Sequence, residues 1–190
     1  IITGGIKMNS YWNERETVEL LEELVNTASP SGYTSAIMKK MGDYLKQLGI
    51  SYQKTNKGAI IVTFMGENNE QHRLLTAHTD TLGAIVKEIK PSGRLKLGMI
   101  GGFNWNAVEG EYCTIHTAEG KTVRGTILMH ETTVHVYRGA SDIKRDENHI
   151  EVRIDEKVLN VQDTKNLGIE VGDFVSFDVR FEETASGFIK

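Results

Sequence analysis

A single cysteine, Cys113, excludes an intramolecular disulfide and a cysteine-built zinc cage. Its plain reading is a small buried hydrophobe in a strand, and a reducing, cytoplasmic setting follows. The chain has no excess of basic charge: 22 Lys and Arg stand against 26 Asp and Glu, net −4. That balance leaves no footprint for nucleic acid or an anionic membrane, so neither is expected as a partner. No apolar run reaches membrane-spanning length, and no secretory signal is present. Gly-x-x-x-x-Gly-Lys, Gly-x-Ser-x-Gly and paired Cys-x-x-Cys are also missing, which leaves nucleotide-binding, serine-hydrolase and zinc-ribbon readings without support. What remains is an ordinary globular composition, 39% hydrophobic over 190 residues, enough for one large domain or two small ones.

Periodicity divides the chain near Gly83. Before it, Val18, Leu21, Leu24 and Val25 recur at helical spacing and predict an amphipathic helix over 14–25, packed on a sheet and stopped at Ser29-Pro-Ser-Gly32. Ile37, Met38, Met41, Leu45 and Leu48 predict a second helix over 35–48, with Gly49 at the left-handed position beyond its end. Short strands are expected over 51–54 and 59–64 around an Asn56-Lys-Gly58 turn, and the Gly66-Glu-Asn-Asn69 turn leads into a buried strand over 73–77. The order ααβββ is compatible with one side of a three-layer α/β domain.

After Gly83 the period changes to two. Leu95, Leu97 and Met99 alternate with polar or small neighbours, and Ile150, Val152 and Ile154 alternate with Glu151, Arg153 and Asp155, which predicts strands with one buried and one solvated face. Turns at Pro91-Ser-Gly93 and Ala118-Glu-Gly120 pair 84–90 with 94–99 and 112–117 with 122–129. A short helix over 161–167 is closed by Gly168, and Val175, Phe177 and Val179 mark a further strand. Gly101-Gly102 reads as a backbone bend or bulge, Asn104-Trp105-Asn106 as a loop, and 141–148 as a charged, exposed connection. Together these segments read as a small β-barrel or sandwich inserted into the α/β domain.

The stretch Arg73-Leu-Leu-Thr-Ala-His-Thr-Asp-Thr-Leu-Gly83 organises the chain, because the apolar run ends in His78 and Asp80. In extended geometry these lie two residues apart and point to one side. A neutral imidazole can then ligate a metal through one nitrogen, while the carboxylate accepts a hydrogen bond from an imidazole N–H. One His-x-Asp is a weak signal by itself, and a hydrogen-bonded surface histidine is the plainer reading. His72, His116, His130, His135 and His149 have no second ligand at useful spacing and read as solvated or hydrogen-bonded residues.

The larger order is helix, hairpin, apolar strand, Ala-His-Thr-Asp-x-x-Gly, then Ile-Gly-Gly at 100–102 and a late Gly-Ile-x-x-Gly-Asp. From about Trp12 onward it resembles the M42 metallo-aminopeptidases, a family that includes glutamyl aminopeptidases and proteins labelled endoglucanases. The resemblance implies a three-layer α/β zinc-peptidase-like domain, begun by 8–83 and resumed at 180–190. It also implies a barrel-like insert over 84–179 that associates subunits into a homo-oligomer. It implies release of amino-terminal residues from peptide substrates by two divalent metal ions, zinc or cobalt. On it, His78 is a metal ligand and Asp80 a catalytic carboxylate orienting the centre. The family's bridging aspartate, paired glutamates and last aspartate and histidine match nothing here and are expected beyond Lys190, so the chain is expected to be inactive alone. Where relatives carry Ser-Gly followed closely by Glu, Tyr33 and Thr34 follow Gly32. Met8 is a plausible start, with Ile1 to Lys7 upstream of it, and 186–190 shows no turn or cap to close it. Two other functions stay open: a non-catalytic assembly module, favoured by an intact β-rich insert beside one evident ligand, and, more weakly, a glycoside hydrolase, for which no distinctive carboxylate pair stands out.

Overall fold

The computed structural model describes residues 13–68 and 70–190; Trp12, the Met8 start, Ile1 to Lys7 and Asn69 of the expected 66–69 turn lie outside them. The fold is mixed α/β, and by contacts it separates into two compact units. One comprises 13–27 and 179–190, the other Ala28–Asp178.

In the first unit, helix α1 (Glu14–Val25) begins where the Asn13 side chain accepts the Glu16 N–H at 3.3 Å, an ordinary N-cap. Val18 is its buried residue. At the other end of the unit, the expectation of an unclosed segment is corrected. Glu182 and Lys190 exchange backbone hydrogen bonds of 2.9 and 3.0 Å, and Gly187, at φ 81°, makes the intervening turn. Thr184 and Ser186 supply the polar turn chemistry.

The second unit opens with helix α2 (Ser35–Gln47), whose Ile37 is fully buried, while Leu48, counted in its apolar stripe, is exposed. Gly49 takes the left-handed conformation at φ 69°, as its place after the helix requires. A two-stranded ladder of β1 (Gln53–Lys54) and β2 (Ile60–Ile61) follows. The dominant feature is a closed barrel of β3 (Gly83–Ile89), β4 (Leu95–Ile100), β5 (Tyr112–His116), β6 (Thr122–Met129), β7 (Ile150–Ile154) and β8 (Phe174–Phe177) in the order β3-β4-β7-β6-β5-β8. Every ladder is antiparallel. Helix α3 (Val161–Asn166) is capped by the Asn160 side chain and ended by Gly168 at φ 88°.

Alternation explains the barrel interior. Ala84, Val86, Leu95, Leu97, Cys113, Ile115, Ile127, Ile150, Val152 and Val175 are at most 1% exposed and form one cluster. Each of the larger aliphatics contributes about 1.5–3 kcal/mol by leaving water. Closure depends on β8, because Val175 lies opposite both Ala84 of β3 and Ile115 of β5. Closure also removes the sheet edges that an open antiparallel sheet would present.

The barrel itself departs from the sequence expectation at three residues. Glu151, assigned to the solvated face of β7, is fully buried: Lys90 and Arg94, from β3's end and the turn before β4, reach across to its carboxylate. Trp105 is not in an irregular loop but in a 3-10 turn (Trp105–Ala107), 7% exposed, with Phe103 edge-on at 5.2 Å. Met99 is exposed where alternation placed it inside. Among the described residues no helix is long and apolar enough to cross a membrane.

Candidate active site

The site is built on a strap of backbone. Ser29, fully buried, donates from Oγ to the Thr79 carbonyl at 2.8 Å, and its own carbonyl accepts the Thr81 N–H at 2.8 Å. Pro30 and Thr81 form a parallel bridge. These contacts hold 29–31 alongside 79–81 at the entrance to β3. Gly83 is required there: a Cβ would lie 2.7 Å from Pro30 Cβ and 2.7 Å from the Val175 carbonyl oxygen. Removing a side chain at this one position lets the strap, β3 and β8 meet.

His78 and Asp80 sit on this strap together, as their spacing implies. His78 Nδ1 lies 3.0 Å from Asp80 Oδ1 and 3.1 Å from the Asp80 carbonyl oxygen. The other carboxylate oxygen accepts a hydrogen bond from the Ser31 hydroxyl. The Ser31 bond is the largest influence on the Asp80 carboxyl; burial opposes it, and the His78 contact and the residue's own backbone N–H add to it, so the carboxyl is held below its ordinary range. Asp80 is therefore an anion at neutral pH. The His78 side chain is 83% exposed and that of Asp80 39%, so this is an open surface pair.

The expectation of a buried strand over 73–77 is corrected. The segment makes no ladder, and Leu74 and Leu75 are 84% and 96% exposed. Consecutive leucines project to opposite sides of an extended chain, so burying both requires cover on both faces. Among the described residues nothing supplies that cover.

The other histidines do not join His78. His116, on β5, is buried, shares a 2.8 Å hydrogen bond with Ser176 Oγ and lies 4.7 Å from the Tyr33 ring; burial pushes its pKa down. His149 pairs with Asp146 at 2.9 Å, and His130 approaches Glu151 at 3.4 Å. His72 and His135 are exposed. Residues 141–148 are only partly exposed, since Arg145 bonds Glu109 at 2.9 Å and the Ile143 carbonyl at 2.8 Å.

Among the described residues no three His, Cys, Asp or Glu side chains converge on a point where a metal could sit. His78 offers one imidazole nitrogen, and Asp80 is already engaged by Ser31 and His78. A tight zinc site takes three or four protein ligands, so these residues do not complete a centre for one metal ion, still less two. Sequence reasoning missed Ser29 and Ser31, because a serine two residues from another in a Pro-Gly turn looks like any turn residue.

The profile of M42 glutamyl aminopeptidases matches residues 58–190. The YhfE protein of Bacillus subtilis (strain 168), named as a provisional aminopeptidase, is 52% identical over 176 residues, covering 93% of this chain and 51% of that protein. A TET aminopeptidase from a marine-sediment Thaumarchaeota archaeon superposes with a TM-score of 0.77 at 21% identity, covering 91% of this chain and 47% of that one. The TET1 peptidase of Pyrococcus horikoshii, described as assembling into a tetrahedron or a large octahedral shell, gives 0.72 at 22% identity, with 87% and 47% covered. The chain spans about half the length of the curated relatives it matches.

Proposed function

The chain belongs to the M42 glutamyl aminopeptidase family, and on that premise we propose that it is the amino-terminal portion of a metal-dependent aminopeptidase that releases amino-terminal residues from peptides. The observation carrying this reading is the His78–Asp80 pair, which lies inside the segment that the family profile covers and is held by Ser31 from before it. Residues 8–83 would begin the catalytic α/β domain, 84–179 form the inserted barrel domain, and 180–190 return to the first. His78 would be a ligand to one of two zinc or cobalt ions, and Asp80 the catalytic carboxylate that orients it. A second ligand set would have to come from outside these residues, and no step through a metal can be derived from the two groups present. Their own contribution is local: Asp80 accepts the Nδ1 proton, which leaves Nε2 as the nitrogen with a lone pair. The single buried cysteine supports a cytoplasmic setting.

Assembly is part of the same proposal, with the barrel as the surface through which copies associate; the shells described for the Pyrococcus protein support it. The complete barrel beside an incomplete metal centre also favours a second reading, a purely non-catalytic assembly module. A panel of aminoacyl chromogenic substrates, assayed on the 190-residue chain and on its full reading frame with zinc or cobalt, decides between them. The aminopeptidase reading expects no turnover from the short chain, because half a cooperative site gives far less than half the rate. It expects activity from the long one, lowered by orders of magnitude in His78→Ala and Asp80→Asn. A long protein that stays inactive with either metal would favour the assembly module. Hydrolysis by the short chain that survives His78→Ala would overturn the site.

A further inference from the structure

We infer that Ser31 is a positioning residue that fixes, through the Asp80 carboxylate, which nitrogen of His78 carries the proton. Both oxygens facing His78 Nδ1, the Asp80 carbonyl at 3.1 Å and Oδ1 at 3.0 Å, can only accept. Nδ1 is therefore the protonated nitrogen of the neutral ring. The carboxylate is free to turn about its last side-chain bond, where rotamer preference is broad and roughly two-fold. Ser31 removes that freedom by donating to Oδ2, which leaves Oδ1 for His78. The pair is open to water, and the Ser31 hydroxyl is the side-chain donor that the structure places on Oδ2.

Ser31 can do this because the strap is itself anchored to barrel strands. Pro30 lies against Gly83 of β3, and the Tyr33 N–H closes a turn to the Pro30 carbonyl at 2.7 Å. Gly32, at φ 98°, lets the Phe174 ring of β8 approach, where a Cβ would stand 3.1 Å from it. The Tyr33 ring then lies 4.7 Å from His116 of β5 and 5.4 Å from Phe174. Three strands of the barrel wall thus set the position of one hydroxyl.

The inference rests on the proposed function only for its catalytic consequence, a His78 ring presented with Nε2 unprotonated. The tautomer itself can be read on the 190-residue chain, metal-free, by long-range proton–nitrogen NMR of 15N-labelled histidine, about two units above the ordinary histidine value of roughly 6.5. His78 should be mainly the Nδ1–H form. In Ser31→Ala the ratio of that form to the Nε2–H form should fall about two- to tenfold, the range one net hydrogen bond spans. Ser31→Thr should restore it, and the His116 and His149 signals should stay in place as evidence of an intact fold. Should Ser31→Ala not fold, Ser31→Thr against the similarly shaped Ser31→Val isolates the hydroxyl. A wild-type His78 that is mainly Nε2–H, or a ratio unmoved by loss of the hydroxyl in a folded variant, would overturn the inference. An inactive full-length enzyme would instead sink the aminopeptidase reading and leave the His78 spectrum as it is.

Discussion

Removing both cations from Glu151 is the sharpest test of the barrel's energetics. The carboxylate is fully buried, with Lys90 Nζ at 2.7 Å, Arg94 at 2.5 Å and His130 Nδ1 at 3.4 Å. Burial pushes its pKa up, but the hydrogen bonds and charges of Lys90 and Arg94 together outweigh that and hold it below its ordinary 4.5. Losing one partner of a buried pair costs about 3–5 kcal/mol when the remaining charge is stranded. Here the second cation survives a single change, so Lys90→Met or Arg94→Met alone should each cost about 1–3 kcal/mol. The double variant should reach about 3–5 kcal/mol at neutral pH, with the two changes coupled. Its pH dependence should reverse. In the wild type the folded pKa is depressed, so the group's contribution is present above the unfolded value and lost as pH falls through the folded one. In the double variant burial dominates and the folded pKa is raised, so the penalty shrinks as pH falls to about 4 and the carboxyl protonates. Urea unfolding of wild type and variants at about pH 7 and about pH 4 reads this directly. A double variant costing under about 1 kcal/mol at pH 7, or one whose deficit does not change with pH, would refute the account of Glu151 as a buried, doubly paired anion.

Gly125→Ala should destabilise the barrel by about 1–3 kcal/mol, seen in the urea midpoint, because its Cβ would stand 2.5 Å from Val152 Cγ1 and 3.2 Å from the Arg153 carbonyl oxygen. Burial pushes the Cys113 thiol up to about 12, so thiol reagents at mildly alkaline pH should label it only in unfolded protein. By linkage, stability should also fall as pH climbs above the ordinary thiol value of 9.0 towards 12, where the unfolded chain ionises and the native one does not. The purified 190-residue chain should carry zinc and cobalt well below one ion per chain by elemental analysis, and stoichiometric metal lost in His78→Ala would mean that further ligands exist.

Much of this fold was legible locally. The 3.6-residue recurrence of Val18, Leu21 and Val25 marked α1, and the paired alternating runs around Pro91-Ser-Gly93 and Ala118-Glu-Gly120 marked the β3–β4 and β5–β6 hairpins of the barrel. Gly49 and Gly168 announced helix ends by the one conformation that glycine adopts at no steric cost. His78 and Asp80 stood out because they close an apolar run, and their two-residue spacing does bring their side chains together. These features depend on residues a few positions apart, which is the range over which sequence pattern and backbone geometry speak to each other.

Long-range contacts were decided by the tertiary structure alone. Barrel closure through Val175 joins β8 to β3, some ninety residues earlier, and β7 enters between β4 and β6 out of chain order. Alternation marked Glu151 as solvated because a two-residue period records which face a side chain takes, not whether Lys90 and Arg94 will arrive from the β3–β4 turn to cover it. Leu74 and Leu75 show the converse: their apolar run reads as interior, yet burial needs neighbours on both faces, and sequence pattern states the demand without supplying them. The candidate site divides in the same way. His78 and Asp80 stand two positions apart, so their contact could be read from the sequence, whereas Ser31 reaches Asp80 across forty-nine positions, brought there by a strap that only the packed barrel holds in place.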